Sequence, residues 1–131
     1  TINHVHREFT DRAHYTSAKF APEESEFQMA GLTEEYLGGF QAPFVEESRL
    51  KMAVRYLRTY EIEESNTLLV VGSIESIYLP GESVGPDGQL DLNRMETVTI
   101  SGLNQYHGVH RLAAFPYARP GTFPENLLDG P

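Results

Sequence analysis

The chain has 131 residues, 40% of them apolar, which fits one domain long enough to bury a core. Its formal net charge of −9 repels a phosphate backbone, so nucleic acid is not an expected partner. It contains no cysteine, and no apolar run approaches the roughly 20 residues that a membrane span requires. We therefore expect a cytoplasmic protein that does not bind membranes.

The sequence opens on a pattern typical of the end of a strand. Residues 3–6 alternate between polar and apolar types, and the chain has neither an initiator Met nor a signal-peptide pattern. We therefore expect that the N-terminal part of the domain is missing, and that a site built from upstream residues is incomplete here.

Three short helices are predicted in the first third of the chain. They cover a turn at residues 12–14, a segment that begins at Pro22 and stops at Gly31, and a turn at residues 33–39. Acidic residues in the first turns of the last two favour this interpretation, because they lie near the positive end of the helix dipole.

The clearest periodicity predicts a long antiparallel hairpin. Residues 49–62 alternate between apolar and basic or polar types, and residues 67–79 return after an acidic turn. Residues 68–71 carry large apolar side chains in succession, which is typical of a strand covered on both faces. Gly72, inside this strand, predicts a bulge or a close backbone approach.

The last third of the chain contains turns and a tail. Residues 86–88, Pro-Asp-Gly, predict a turn. The prolines and glycines of residues 112–131 predict an extended tail that is ordered by packing on another surface, such as a second subunit. Because no repeat or linker interrupts the sequence, residues 1–131 are expected to form a single domain.

Metal and nucleophile motifs are weak. The histidine pairs at positions 4 and 6 and at positions 107 and 110 have strand and helix spacing, but neither has an acidic third ligand in a motif, so no metal site is predicted. Residues 87–93 lack the glycine placement and the closing Glu of a calcium loop. No nucleophile elbow, phosphate loop or dinucleotide fingerprint occurs, and no catalytic residue is assigned.

The first candidate binding segment is Thr16, Ser17, Ala18 and Lys19. Two hydroxyls, one ammonium and the backbone amides of a predicted loop-to-helix junction together suit a phosphate or an anionic ring. The alternative is ordinary loop chemistry, since Ser and Thr beside Lys are common in loops.

The second candidate segment is Ser101 and Gly102 with Tyr106. Small residues followed by an aromatic ring suit the border of a flat aromatic ligand. The alternative is a turn followed by a tyrosine of the core.

Taken together, these segments resemble the flavin reductase-like family, whose fold is an FMN-binding split barrel. The matching segments lie in order over most of the chain: TSAKF at 16–20, SEFQMAGL at 25–32, APFVEES at 42–48, VGS at 71–73, DGQLD at 87–91 and SGLNQY at 101–106. The family's earlier barrel strands, with a flavin-holding Asn-x-x-Pro-x-Ser type segment, have no counterpart here. The resemblance implies a mainly β protein with short helices, an antiparallel split β-barrel.

The resemblance also implies a function. It implies a homodimer with FMN near the subunit interface, and hydride transfer from NADH or NADPH to FMN, chemistry that the cofactor itself performs. Ser17 and Lys19 match the family's Ser-x-Lys segment near the flavin, and Tyr106 matches the aromatic after the small-residue turn. The alternatives are a flavin-binding electron carrier, or a dimerising module, without reductase turnover.

Overall fold

The computed structural model of the chain describes residues 1–128, so residues 129–131 at the end of the predicted tail lie outside the described residues. The described part is mainly β with short helices. The elements are β1 (Ile2–Asn3), α1 (Thr10–Tyr15), α2 (Glu26–Ala30), β2 (Glu34–Glu35), β3 (Phe44–Val45), β4 (Lys51–Ile62), β5 (Thr67–Tyr78), β6 (Val98–Ser101) and β7 (Gln105–Gly108).

Three antiparallel sheets form an open, split arrangement. The largest has the strand order β1-β4-β5, and the pairs β2-β3 and β6-β7 form the other two. The chain just after β1 links two of these sheets, because the Val98 N–H donates to the Val5 carbonyl at 3.1 Å and His6 forms a bridge with Thr97. The sheets do not close into one continuous barrel, which confirms the predicted split-barrel class.

The predicted long hairpin is confirmed. β4 and β5 pair from Lys51 opposite Tyr78 to Ile62 opposite Thr67. A short 3₁₀ turn connects them and ends at Asn66, which has a φ of 50°. Asn is among the few non-glycine residues that adopt this left-handed conformation readily, which suits it to the reversal of the chain.

Gly72 lies at an irregular part of this hairpin, as predicted. It pairs with Tyr56, directly before one of two register shifts in β4. A Cβ atom added at Gly72 would lie 2.9 Å from the Arg55 carbonyl oxygen and would overlap the Val54 side chain. The close approach at Gly72 is therefore made by the neighbouring strand itself.

The prediction that residues 68–71 are covered on both faces is wrong. Leu68 is 63% exposed and Val70 is 60% exposed. The physical reason is the length of the hairpin, because β1 pairs only with Lys51 and Met52 at the beginning of β4. The outer half of β4 and β5 extends past the strand that covers the inner half.

The first two predicted helices are present, with one change of boundary. α1 covers the predicted turn at residues 12–14, and α2 begins at Glu26 instead of Pro22. α2 ends at Gly31 as predicted, where a φ of 64° suits glycine. In the described residues, no helix has the length and apolar character needed to cross a bilayer.

The predicted helical turn at residues 33–39 is wrong. This segment contains strand β2, in which Glu34 lies opposite Val45 and Glu35 lies opposite Phe44. Gly38 and Gly39 both have positive φ values, 58° and 74°, so the chain reverses there instead of continuing a helix.

The core of the described part is small and lies between the helices and the inner half of the main sheet. Its largest fully buried apolar side chains are Phe9, Phe44 and Met95. Lys51 is also buried, and it forms an ion pair with Glu35 and donates to a backbone carbonyl. This pair joins β2 to the beginning of β4.

The Pro-Asp-Gly turn is confirmed, whereas the segment after β7 has no regular structure. The Gly88 N–H donates to the Gly85 carbonyl at 2.9 Å, which closes the turn. Residues 109–128 contain neither a helix nor a strand. The Leu127 N–H donates to the Ala114 carbonyl at 2.7 Å, so this segment folds back on itself.

Candidate functional site

The end of α1 lies against β7, where two predicted segments come together. His14 Nδ1 lies 3.2 Å from the Tyr106 hydroxyl, and the two rings pack edge to face with centroids 5.7 Å apart. Residues 16–19 directly follow α1, and the α1 residue that makes this contact with β7 is His14. His14 was not predicted as a site residue from the sequence, because a contact with a residue 92 positions away leaves no local pattern.

The position of α1 depends on Arg12. Its guanidinium donates to the Gly31 carbonyl at 2.8 Å and to Glu47 Oε1 at 3.0 Å. The Thr33 N–H donates to the other oxygen of Glu47 at 3.1 Å. Arg12 and Glu47 thus join α1 to the end of α2 and to the loop after β3.

Glu47 is ionised more readily than an ordinary glutamate. Its partial burial alone raises the pKa, but this effect is outweighed by hydrogen bonds from backbone N–H groups, including that of Thr33, and by the Arg12 guanidinium. The net result is a pKa below the usual value, so the carboxylate is charged at neutral pH. Arg12 and Glu47 were not identified from the sequence, since they are separated by 35 residues.

The loop-to-helix junction predicted for the first segment is not present. Residues 16–19 follow the C-terminal end of α1, and the amides of Thr16, Ser17 and Ala18 donate to carbonyls of α1. The two hydroxyls also donate back to the helix, Thr16 to the Ala13 carbonyl at 2.7 Å and Ser17 to the His14 carbonyl at 2.8 Å. These amides are not free for a phosphate, but the hydroxyl oxygens can still accept hydrogen bonds.

Lys19 is the part of this segment that can bind an anion. Six of the ten Lys and Arg side chains form ion pairs with carboxylates within the described part: Arg7, Arg12, Arg49, Lys51, Arg55 and Arg94. Lys19 is exposed and makes no hydrogen bond or ion pair with residues 1–128. It therefore presents a positive charge that has no carboxylate partner among residues 1–128, four residues after the end of α1.

The second candidate segment forms the turn between β6 and β7. Gly102 has a φ of 61° there, and Ser101 lies 2.8 Å from His107 Nε2. Because side chains alternate along a strand, Ser101 and His107 share one face of this hairpin and Tyr106 lies on the other. The structure therefore places Tyr106 at α1, whereas the Ser101 hydroxyl points away from it.

Two cavities lie on either side of α1. One, of about 260 Å³, is lined partly by Phe9, Ala13 and Thr16, which share one face of this segment. The other is a polar cleft of about 470 Å³, with Thr10 and Tyr106 in its lining. The cleft is within the usual range for small-molecule sites, roughly 300–1,000 Å³. Thr16 and Tyr106 thus line different cavities, and Ser17, Ala18 and Lys19 line neither of the two. The candidate site is the surface of α1 and of the residues that follow it, with the cleft beside Tyr106 at one edge.

The first histidine pair is not arranged for metal binding. His6 is buried, its Nδ1 accepts from the Glu8 N–H at 3.4 Å, and its Nε2 lies 2.7 Å from the Glu47 carbonyl. Both ring nitrogens are therefore occupied. Among residues 1–128, no three His, Asp or Glu side chains come together as possible metal ligands.

The fold is shared with three solved structures. A protein assigned as a flavin reductase with a split barrel domain, from Shewanella frigidimarina NCIMB 400, is 44% identical, with a TM-score of 0.86 over 88% of this chain and 59% of that chain. Flavoredoxin of Desulfovibrio vulgaris (Miyazaki F) is 21% identical, with a TM-score of 0.74 over 89% of this chain and 62% of that one. Nitrilotriacetate monooxygenase component B from Bacillus cereus is 19% identical, with a TM-score of 0.69 over 84% of this chain and 56% of that one.

This chain spans less than two thirds of the length of each of these structures. No family model matches the sequence, and no curated protein matches it. The two more distant structures support the fold alone, whereas the first is also 44% identical in sequence over a region that covers 88% of this chain. This sequence identity and the shared split-barrel fold confirm the predicted resemblance to the flavin reductase-like family.

Proposed function

We propose that the chain belongs to an oxidoreductase that binds FMN and reduces it with a hydride from NADH or NADPH. The observation that carries this proposal is Lys19, an exposed cation that has no carboxylate partner among residues 1–128 and lies five residues after His14, which contacts Tyr106. The 44% identity to a protein assigned as a flavin reductase supports the same function.

The residues at the end of α1 have a chemistry that fits FMN. In a chain with a net charge of −9, an anionic phosphate or reduced ring gains most from a cation that no carboxylate already neutralises, as at Lys19. The oxygens of Thr16 and Ser17 can accept hydrogen bonds from ribityl hydroxyls, and the half-buried ring of Tyr106 offers an aromatic surface. We also propose that the cofactor lies near Ala18, Ser101 and Gly102, and we assign no specific contact to these residues.

FMN and the protein have different roles in the proposed reaction. When bound, FMN supplies the hydride-accepting ring, and the protein binds and orients it. Since hydride transfer from a nicotinamide does not require a protein base, we assign no catalytic residue. Lys19 binds the negatively charged phosphate or reduced ring of the flavin, and Tyr106 limits the position of the flavin ring.

A homodimer, with the flavin near the interface, is part of the same proposal. The outer half of the β4–β5 hairpin exposes a group of large apolar side chains, Tyr56, Leu57, Tyr60, Ile62, Leu68, Leu69 and Val70. The register places Tyr60 and Leu69 on one face of the hairpin and Leu68 and Val70 on the other. Exposed apolar surface of this extent is typical of protein interfaces. We propose that a second copy of the chain covers it.

The cofactor proposal is tested by titration of FMN with the purified protein and with two variants of Lys19. We expect saturable quenching of flavin fluorescence, several-fold weaker binding by Lys19→Ala, and near wild-type binding by Lys19→Arg, which retains the charge. If the wild-type protein does not quench FMN, the cofactor proposal is wrong. If both variants bind like the wild type, Lys19 is not part of the site.

The reductase proposal is tested separately, by oxidation of NADH and NADPH in the presence of FMN. We expect consumption of at least one nicotinamide that depends on added flavin. FMN binding without oxidation of either nicotinamide would instead indicate a flavin-binding electron carrier.

A further inference from the structure

We propose that His14 is a positioning residue, which fixes the orientation of Tyr106 before the flavin binds; this inference rests on the proposed function. Within residues 1–128, His14 contacts both candidate segments. Its carbonyl accepts from the Ser17 N–H at 3.1 Å and from the Ser17 hydroxyl at 2.8 Å. Its ring contacts Tyr106 through Nδ1 and through an edge-to-face packing.

The hydrogen bond between the two side chains forms in either tautomer of the imidazole. With the proton on Nε2 the Tyr106 hydroxyl donates to Nδ1, and with the proton on Nδ1 the hydroxyl oxygen accepts. The hydrogen bond restrains the hydroxyl end of Tyr106, while the edge-to-face packing restrains the plane of its ring.

His14 can restrain Tyr106 only if the position of His14 is itself fixed. α1 is anchored by Arg12 to the Gly31 carbonyl and to Glu47, and the Ser17 hydroxyl closes the last turn on His14. His14 therefore connects a fixed helix to a tyrosine on a separate hairpin. An aromatic side chain that is ordered in advance loses less conformational entropy when a ligand binds against it.

The inference is tested by FMN affinity, measured by fluorescence quenching, in variants that remove either half of the pair. We expect His14→Ala and Tyr106→Phe each to raise the Kd for FMN by about 2- to 10-fold, which corresponds to one net hydrogen bond. The double variant should be no weaker than the weaker single variant, because each change already breaks the same contact. His14→Asn should bind nearly as well as the wild type, since its amide places an acceptor close to the position of Nδ1.

His110→Ala is the matched control, because it removes an exposed imidazole elsewhere in the chain. Urea unfolding of the flavin-free proteins identifies any variant that does not fold. If His14→Ala does not fold, His14→Phe replaces it, because phenylalanine keeps an aromatic ring and lacks the Nδ1 acceptor. Wild-type affinity in His14→Ala, or additive losses in the double variant, would overturn the role of His14. Absence of FMN binding by the wild-type protein would overturn the proposed function instead.

Discussion

The Arg12 guanidinium donates a 3.0 Å hydrogen bond to the Glu47 carboxylate, across 35 residues of sequence. Arg12 also binds the carbonyl of Gly31 at the end of α2. Both side chains are partly buried, 36% and 20% exposed, so the pair is less well screened than an ordinary surface pair. It is the main polar link between α1, which carries the candidate site, and the rest of the domain.

Arg12→Ala should lower the free energy of unfolding by about 1–3 kcal/mol. It removes hydrogen bonds from a charged group and leaves the Gly31 carbonyl and the Glu47 carboxylate without this partner. Urea unfolding followed by circular dichroism measures this free energy. Arg55→Ala is the matched control, because Arg55 pairs with Glu75 on the exposed face of the hairpin and should matter little. Equal losses in the two variants would contradict the role assigned to Arg12.

The pH dependence of stability should reflect Glu47. Its pKa is lower in the folded protein than the usual value of 4.5, so the unfolded chain binds the proton more tightly. The stability that the Glu47 carboxylate contributes is fully present above about pH 4.5. This stability is lost as the pH falls through the lower pKa that Glu47 has in the folded protein. Comparison of wild type with Glu47→Gln from pH 7 to pH 3 should therefore show a smaller loss of stability in the variant. If the stability of the two proteins falls in parallel with pH, Glu47 does not contribute to the loss of stability in acid.

Gly72→Ala should destabilise the hairpin by about 1–3 kcal/mol, because the added methyl group meets the Arg55 carbonyl and Val54. Thermal and urea unfolding measure the change. Gly81→Ala is the control, since a Cβ there has no neighbour within 4 Å and its φ is not positive. If Gly72→Ala is as stable as Gly81→Ala, the strands can separate enough to accept the methyl group, and the close approach is not a constraint.

Local sequence patterns predicted the strands of this fold better than they predicted which residues of those strands are buried. Alternation in β4 and the return of β5 were sufficient for the hairpin, because strand periodicity is a property of neighbouring residues. The exposure of Leu68 and Val70 was not predictable in the same way, since an apolar run does not show how far the covering strand extends.

The candidate site shows the same limit. The composition of residues 16–19 suggested anion binding, but only the structure shows that their amides follow α1 and are already bonded. The contact of His14 with Tyr106 joins residues 92 positions apart, and no local pattern contains such information. The residue types were thus predictable, whereas the contacts that organise them depend on the tertiary fold.

The exposed outer half of the hairpin leads to a prediction about assembly. The wild-type protein should be a dimer in sedimentation experiments, and the double variant Leu68→Glu with Val70→Glu should be a folded monomer. These two side chains share one face of β5, and charges there would lose solvation in a covered interface. Met29→Glu on α2 is the control, because it places one glutamate on an exposed apolar residue outside the hairpin and should leave the dimer intact. A monomeric wild type, or a double variant that still dimerises, would show that a second copy does not cover this face.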